Sequence, residues 1–372
     1  MAVAYTPGLR VTSDTLIRRL RRLPIKGQVL VGAGQTVTAD QVVARAEMPG
    51  ILHTVRATQM LHIEPQELAP ALLKQPGEAV QAGEVIAETK GLLGLFRSQL
   101  RSPVSGTIEE GSAVSGHVRI RERPRAVDLP AYIAGTVAEV IEGEGAEIEA
   151  RGALVQGIFG VGGERWGVLR VVADKPDQAL RAEALGKCEG CVIVGGAGAD
   201  GRAIRAAAEA GAAGLVVGAV TDEALREYLG YEIGVAITGQ EQVPMTLILT
   251  EGFGELAMAG RTWELLTSLN GRLASINGTT QIRAGVIRPE IVVTRQGASG
   301  DEAAAEPEQV LAVGSRVRVI REPNFGALGR VTALPVELME IETESKVRVA
   351  MVELDGGSEV RVPRANVEVI QE

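Results

Sequence analysis

Short runs of alternating Val and Ile, bounded by glycine, fill residues 23–172 and predict many half-buried strands. Ahead of them, Ser13-Asp14 reads as the cap of a short helix, Thr15 to Arg22, ended by Pro24. From Lys187 the period changes. Cys191 to Val194 reads as a buried strand, Arg202 to Ala210 as an Ala-rich helix and Gly214 to Val220 as a second strand. That succession predicts a βαβ unit with parallel strands and a right-handed crossover. Thr221 to Tyr228 is expected to be helical. Val235 to Ile237 and Met245 to Leu249 are expected as strands, Gly252 to Leu269 as mainly helix, and Ala274 to Val293 as a return to β. Gln296 to Gln309 is polar and low in complexity, which marks a linker. Alternation then resumes in Val313 to Ile320, Val347 to Leu354, Ser358 to Val362 and Val367 to Ile370, with a hairpin turn at Gly356-Gly357.

An internal repeat lies in the first half. Gly34-Gln-Thr-Val37-Thr-Ala39-Asp-Gln-Val42-Val43-Ala44 and Gly77-Glu-Ala-Val80-Gln-Ala82-Gly-Glu-Val85-Ile86-Ala87 share the pattern G-x-x-V-x-A-x-x-V-[VI]-A. Gly106-Thr-Ile108-Glu is echoed by Gly135-Thr-Val137-Ala-Glu139. Each unit reads as turn, short strand, turn, strand, and needs a partner to bury its apolar face. With Ser102-Pro103-Val104-Ser105-Gly106, the pattern resembles the biotinyl/lipoyl-like barrel-sandwich hybrid. The resemblance implies a β-sandwich over residues 23–172. In carrier domains of that family a lysine at a hairpin tip is modified, and Lys90 holds the matching position. Here Leu92 to Leu100 lengthens the hairpin, so the chain reads as an unmodified member of the kind found in scaffold regions.

The C-terminal tail carries a second resemblance. Val313-Gly314-Ser-Arg316-Val-Arg318-Val-Ile320, followed by Pro323-Asn324-Phe325-Gly326-Ala-Leu328-Gly329-Arg330-Val331, is similar to the KOW motif. It implies an SH3-like barrel over residues 310–372. KOW domains occur in ribosomal proteins and transcription elongation factors. The resemblance therefore implies a contact surface of Arg316, Arg318, Arg321, Asn324, Phe325 and Arg330 toward RNA or a polymerase.

The expected organisation is multidomain and mainly β with one α/β domain. It comprises a basic N-terminal arm or helix at 1–22, the sandwich at 23–172, an α/β domain at 186–295, the linker at 296–309 and the barrel at 310–372. Composition agrees: 46 glycines supply tight turns, and only 3% aromatic residues leave the cores to Val, Ile, Leu and Ala. The net charge of −9 argues against a general nucleic-acid binder. The arm departs from it, with Arg10, Arg18, Arg19, Arg21, Arg22 and Lys26 against Asp14. Such an arm can meet nucleic acid, an acidic partner or anionic lipid, or form a solvated helix face. The barrel holds eight basic and ten acidic residues, with no net positive field. The longest apolar stretch, Gly211 to Val220, is far short of the roughly 20 residues that span a bilayer. Cytoplasmic residence and no membrane association are expected, and the Arg- and Ala-rich, Lys-poor usage suits a GC-rich bacterium.

Gly196-Ala-Gly198-Ala-Asp-Gly201 follows a predicted strand and opens a predicted helix, the context of a dinucleotide fingerprint, with Asp222 placed for a ribose hydroxyl. The structural alternative is a glycine-rich turn in a βαβ unit. Cys188-Glu-Gly-Cys191 is a C-x-x-C, either a labile disulfide or a chance pair. Arg283 and Arg288, among polar residues at strand ends, could clamp an anion or belong to buried networks. Neither a metal site nor a cofactor is called for, and the sequence holds no G-x-S-x-G, H-E-x-x-H or P-loop. The first functional expectation is a non-enzymatic adaptor or scaffold with a protein partner, a polymerase or ribosome component, and RNA as a further contact. A nucleotide- or cofactor-binding enzyme using the α/β domain and a carrier modified at Lys90 are the alternatives.

Overall fold

A computed structural model describes residues 9–90, 97–112, 114–231, 241–280, 287–295, 311–319, 324, 327–340 and 346–369. The chain is mainly β and forms several sheets. Strand β1 (Val11–Arg22) occupies the place of the expected N-terminal helix. The correction follows from its period. Ile17 and Arg21 are buried while Leu16, Arg18, Leu20 and Arg22 are exposed, which is alternation by two rather than a helical stripe. Asp14 accepts from the Arg151 guanidinium on a neighbouring strand instead of capping a helix.

The first half continues through β2 (Gln28–Val29), β3 (Thr36–Val37), β4 (Val42–Met48), β5 (Leu52–Val55), α1 (Ala57–Leu61), α2 (Leu68–Ala71), β6 (Ala79–Val80) and β7 (Val85–Lys90). It returns through β8 (Arg97–Arg101), β9 (Gly106–Ser112), β10 (His117–Glu122), β11 (Arg125–Pro130), β12 (Gly135–Ile141) and β13 (Gly145–Gln156). The repeat is nested. In the outer unit β3 pairs β12 and β4 pairs β11; in the inner unit β6 pairs β9 and β7 pairs β8. The backbone ladders share bonds at corresponding positions. Gly34 N–H donates to Val137 O at 2.8 Å and Gly77 N–H to Ile108 O at 2.7 Å. Val137 N–H returns to Gln35 O at 2.9 Å, as Ile108 N–H does to Glu78 O at 3.0 Å. Gly34 and Gly77 have φ of 80° and 92°, the left-handed region that glycine enters at no steric cost. The inner unit has its own core around Leu68, Ile86, Leu100, Ile108 and Ile120. The outer core, with Ile17, Val43, Ile133, Val137 and Ile148, also draws in Leu154 and Val292 of the large sheet.

That large sheet adds β14 (Phe159–Val161), β15 (Glu164–Val171), β16 (Cys191–Val194), β17 (Gly214–Val220), β18 (Thr246–Phe253), β19 (Leu273–Asn277) and β20 (Glu290–Thr294). It has 11 strands in the order β14-β18-β17-β16-β15-β19-β20-β13-β12-β3, with β1 also on β13. The sheet therefore runs through position 172, since β12 to β15 belong to it together with β16 to β20. The run β15-β16-β17-β18 is parallel. Helix α3 (Gly201–Glu209) joins β16 to β17 as the pattern predicts. Its buried Ala203, Ile204 and Ala207 pack on one sheet face together with α4 (Asp222–Leu229). Helix α5 (Gly260–Ser268) covers the other face through Trp263, Leu265 and Leu266. The stretch 252–269 is thus less helical than expected, because β18 runs on to Phe253 and α5 starts only at Gly260. Val235 to Ile237 lie outside the described residues.

The tail forms β21 (Arg316–Val319), β22 (Leu328–Ala333), β23 (Met339–Glu340), β24 (Lys346–Val347), β25 (Val349–Leu354), β26 (Glu359–Pro363) and β27 (Val367–Val369). Five of these make an antiparallel sheet, β26-β25-β22-β21-β27, and β23 pairs antiparallel with β24. Gly357, with φ of 79°, closes the β25–β26 turn on Leu354 O at 2.8 Å, where the two glycines predict it. The core is small and aliphatic, around Val317, Val331, Val352 and Val362. Among the described residues no helix is long and apolar enough to cross a membrane.

Candidate functional site

A group of buried charges lies where the C-terminal sheet meets the large sheet. Arg318 of β21 and Glu368 of β27 are cross-strand partners, and both are 1% exposed. Arg318 Nη2 donates to Glu251 Oε2 of β18 at 2.6 Å. Glu251 Oε1 accepts from the Ala259 amide at 3.0 Å, just ahead of α5. Arg288 Nη1 donates to Glu368 Oε2 at 3.3 Å. Burial pushes the Glu368 carboxyl above its ordinary range, and Arg288 and Arg318 pull it back only in part. Charges so enclosed cost several kcal/mol each to desolvate, a cost that their mutual pairing offsets.

This geometry corrects the expected contact surface. Alternation turns Arg318 away from the module's own core, which Val317 and Val319 fill, and the face it occupies is covered by Glu251 of a distant strand. Arg316 is bound bidentately by Asp355, each bond 2.5 Å, and Arg330 donates to Gly314 O at 2.8 Å. Asn324 is half-buried and its carbonyl receives the Ala327 amide at 3.1 Å. Arg321 and Phe325 lie outside the described residues. The exposed cations of this module include Arg348 beside β25 and Arg361 on β26, which the motif does not mark. Alternation along β26 accounts for the outward position of Arg361 and is a signal the sequence carries, whereas Arg348 lies between β24 and β25.

The anion-clamp expectation changes as well. Arg288 is 9% exposed in its side chain and engaged with Glu368, so it closes the interior junction; Arg283 lies outside the described residues.

The glycine fingerprint sits at the C-terminal end of β16 and the start of α3 as the pattern requires. The space beside it is occupied by the chain itself. A Cβ on Gly196 would collide with the carbonyl oxygens of Lys175 and Gln178, and one on Gly201 with the Glu227 carboxylate. One on Gly198 would come within 2.8 Å of Ala219 O. Ala197 N–H donates to Gln178 O at 2.9 Å and Leu180 N–H to Gly198 O at 2.6 Å. Segment 175–180 thus lies in the crevice where a pyrophosphate would approach. Asp200 caps α3 through the Ala203 amide at 2.7 Å, and exposed Asp222 begins α4 after the Thr221 cap.

The basic arm is neutralised by the strands beside it. Arg18 pairs with Glu149 at 2.7 Å, Arg22 with Glu144 at 2.8 Å and Arg19 with Glu290. Arg21 meets Glu164 through two bonds of 2.6 Å, donates to Pro130 O at 2.9 Å and lies over the Tyr132 ring at 5.5 Å. Four arginines that look like a polyanion-binding patch in sequence are ion-paired within the fold. Lys90 ends β7 opposite Arg97, and residues 91–96 lie outside the described residues. No protein-family model and no curated protein matches this chain.

Proposed function

We propose that the protein is a non-enzymatic adaptor or scaffold that grips a protein partner, a polymerase or ribosome component, through its C-terminal module. The resemblance of Val313 to Val331 to the KOW motif supports this reading, as does the five-stranded antiparallel sheet to which β21 and β22 belong. The observation that carries it is the buried Arg318–Glu251 pair, which docks the module by one side at a defined geometry. A module held that way presents Arg348 and Arg361, with Glu353 and Glu359 nearby along β25 and β26, at fixed positions. Mixed charge on a rigid β surface suits a protein partner, or RNA already held by one, better than naked nucleic acid. The test is purification from the native host with wild type and with the double variant Arg348→Glu, Arg361→Glu. Wild type is expected to bring down polymerase, ribosome components or RNA, and the variant to lose most of that material. Equal recovery by both, or recovery of none of the three by wild type, contradicts the reading.

A further inference from the structure

The only two cysteines of the chain, Cys188 and Cys191, sit at the ends of one tight turn leading into β16. Cys191 N–H donates to Cys188 O at 3.0 Å, and Gly190 takes the third turn position with φ of 66°. A four-residue turn of this kind brings its end Cα atoms within about 7 Å, which overlaps the roughly 4.4–6.8 Å span that a disulfide bridges. Both thiols are free, Cys188 buried at 1% exposure and Cys191 half-buried. The turn is anchored from outside: Gly190 N–H donates to Gly211 O at 2.8 Å and Ala213 N–H to Cys191 O at 2.8 Å. Arg170 donates to the Lys187 carbonyl, which puts a guanidinium beside Cys188.

We propose that Cys188 and Cys191 form a reversible dithiol–disulfide couple in which Cys191 attacks first and Cys188 resolves. The oxidant is a small disulfide, RSSR, which reaches Cys191 but not the enclosed Cys188. The Cys191 thiolate attacks one sulfur of RSSR; the Cys191–SR bond forms, the S–S bond breaks, and RS⁻ leaves and takes up the proton that Cys191 released. The Cys188 thiol then gives up its proton, and its thiolate attacks Cys191 Sγ. The Cys188–Cys191 bond forms and the second RS⁻ leaves, to be protonated in turn. The protein loses two hydrogens and RSSR becomes two RSH. Burial pushes the Cys188 thiol up and Arg170 counters this in part, which fits a group that attacks only when a sulfur is delivered beside it.

The test is intact-mass analysis of the native full chain after exposure to oxidised glutathione and rapid acid quenching. Wild type is expected to lose two hydrogens, keep no lasting glutathione and recover fully with dithiothreitol. Cys188→Ala should hold one glutathione on Cys191, and Cys191→Ala should react at least about tenfold more slowly than wild type. Wild type that stays reduced, wild type that keeps a glutathione, or Cys191→Ala reacting as fast as wild type each overturns the proposal. If Cys188→Ala fails to fold, the wild-type mass and the Cys191→Ala rate still decide it.

Discussion

The inner and outer repeat units share a pattern and a backbone ladder, yet they are held in different ways. At the turn before the second glycine strand the inner unit has Ser102-Pro103 and the outer has Ala131-Tyr132. Both Ser102 and Ala131 donate a backbone N–H at 2.8 Å, to Glu84 O and Gln41 O respectively. The next residue separates them. Pro103 has no N–H to give, whereas Tyr132 takes φ of 70° and donates to Ala39 O at 2.9 Å. Tyr132 is 1% exposed, and its hydroxyl donates to Glu290 of the large sheet at 3.2 Å. Arg19 and Arg21 of β1 complete that junction through Glu290 and Glu164. The inner unit has ion pairs such as Lys74–Glu84, closed within itself and partly in water. A local pattern thus fixes the ladder, while a few side chains at its flank decide whether the unit stands alone or joins a larger sheet.

The largest effect should come from opening the outer junction. Arg21→Ala removes one partner of an enclosed pair and is expected to cost about 3 kcal/mol in urea denaturation, at unchanged slope. The inner counterpart, Lys74→Ala, should leave the midpoint within experimental error, because that pair is solvated. Equal losses for the two variants would break the contrast.

Tyr132→Phe comes next, at about 1.5 kcal/mol near neutral pH, for loss of a hydrogen bond to a carboxylate. Burial raises the Tyr132 phenol well above 10.0, with the Glu290 and Glu164 charges adding to the effect. A raised folded pKa gives stability that is whole below the unfolded value and lost as pH climbs through the folded one. Wild-type stability should therefore fall relative to Tyr132→Phe above pH 10, read by denaturation on both proteins. A constant difference across that range would show that the phenol is not enclosed.

The smallest effects sharpen the likeness. Gly34→Ala and Gly77→Ala each place a Cβ in open space at positive φ, so only the backbone conformation is penalised. Each should cost about 1 kcal/mol, and the two values should agree within a few tenths. A difference above about 1 kcal/mol would mean that the turns are not equivalent.

Much of the ladder was legible because glycine and Val/Ile positions obey local sterics. The βαβ unit was legible for the same reason: the β16 run, the Asp200 cap and the Ala-rich face of α3 all lie within one window. Nesting was not, because which strand β4 meets depends on β11, beyond the whole inner unit. Ser13-Asp14 misled because a cap signature is local, whereas β13, the partner that makes β1 a strand, comes over a hundred residues later. Arg318 misled in a related way. Alternation shows that it points away from Val317 and Val319, but only the position of Glu251 makes that face an interior one. The junction charges Arg21, Glu164, Glu251 and Glu368 carried no signal in the sequence, since each is one of many charged residues until a fold pairs it.

On this packing the outer unit opens together with the large sheet, and the inner unit opens on its own. Native-state hydrogen exchange in a series of low urea concentrations tests it directly. Amides of β9 and β10 should exchange as one group, at lower free energy than those of β12 and β13, and Arg21→Ala should bring the two groups closer. A single shared opening for all four strands in wild type would contradict the account.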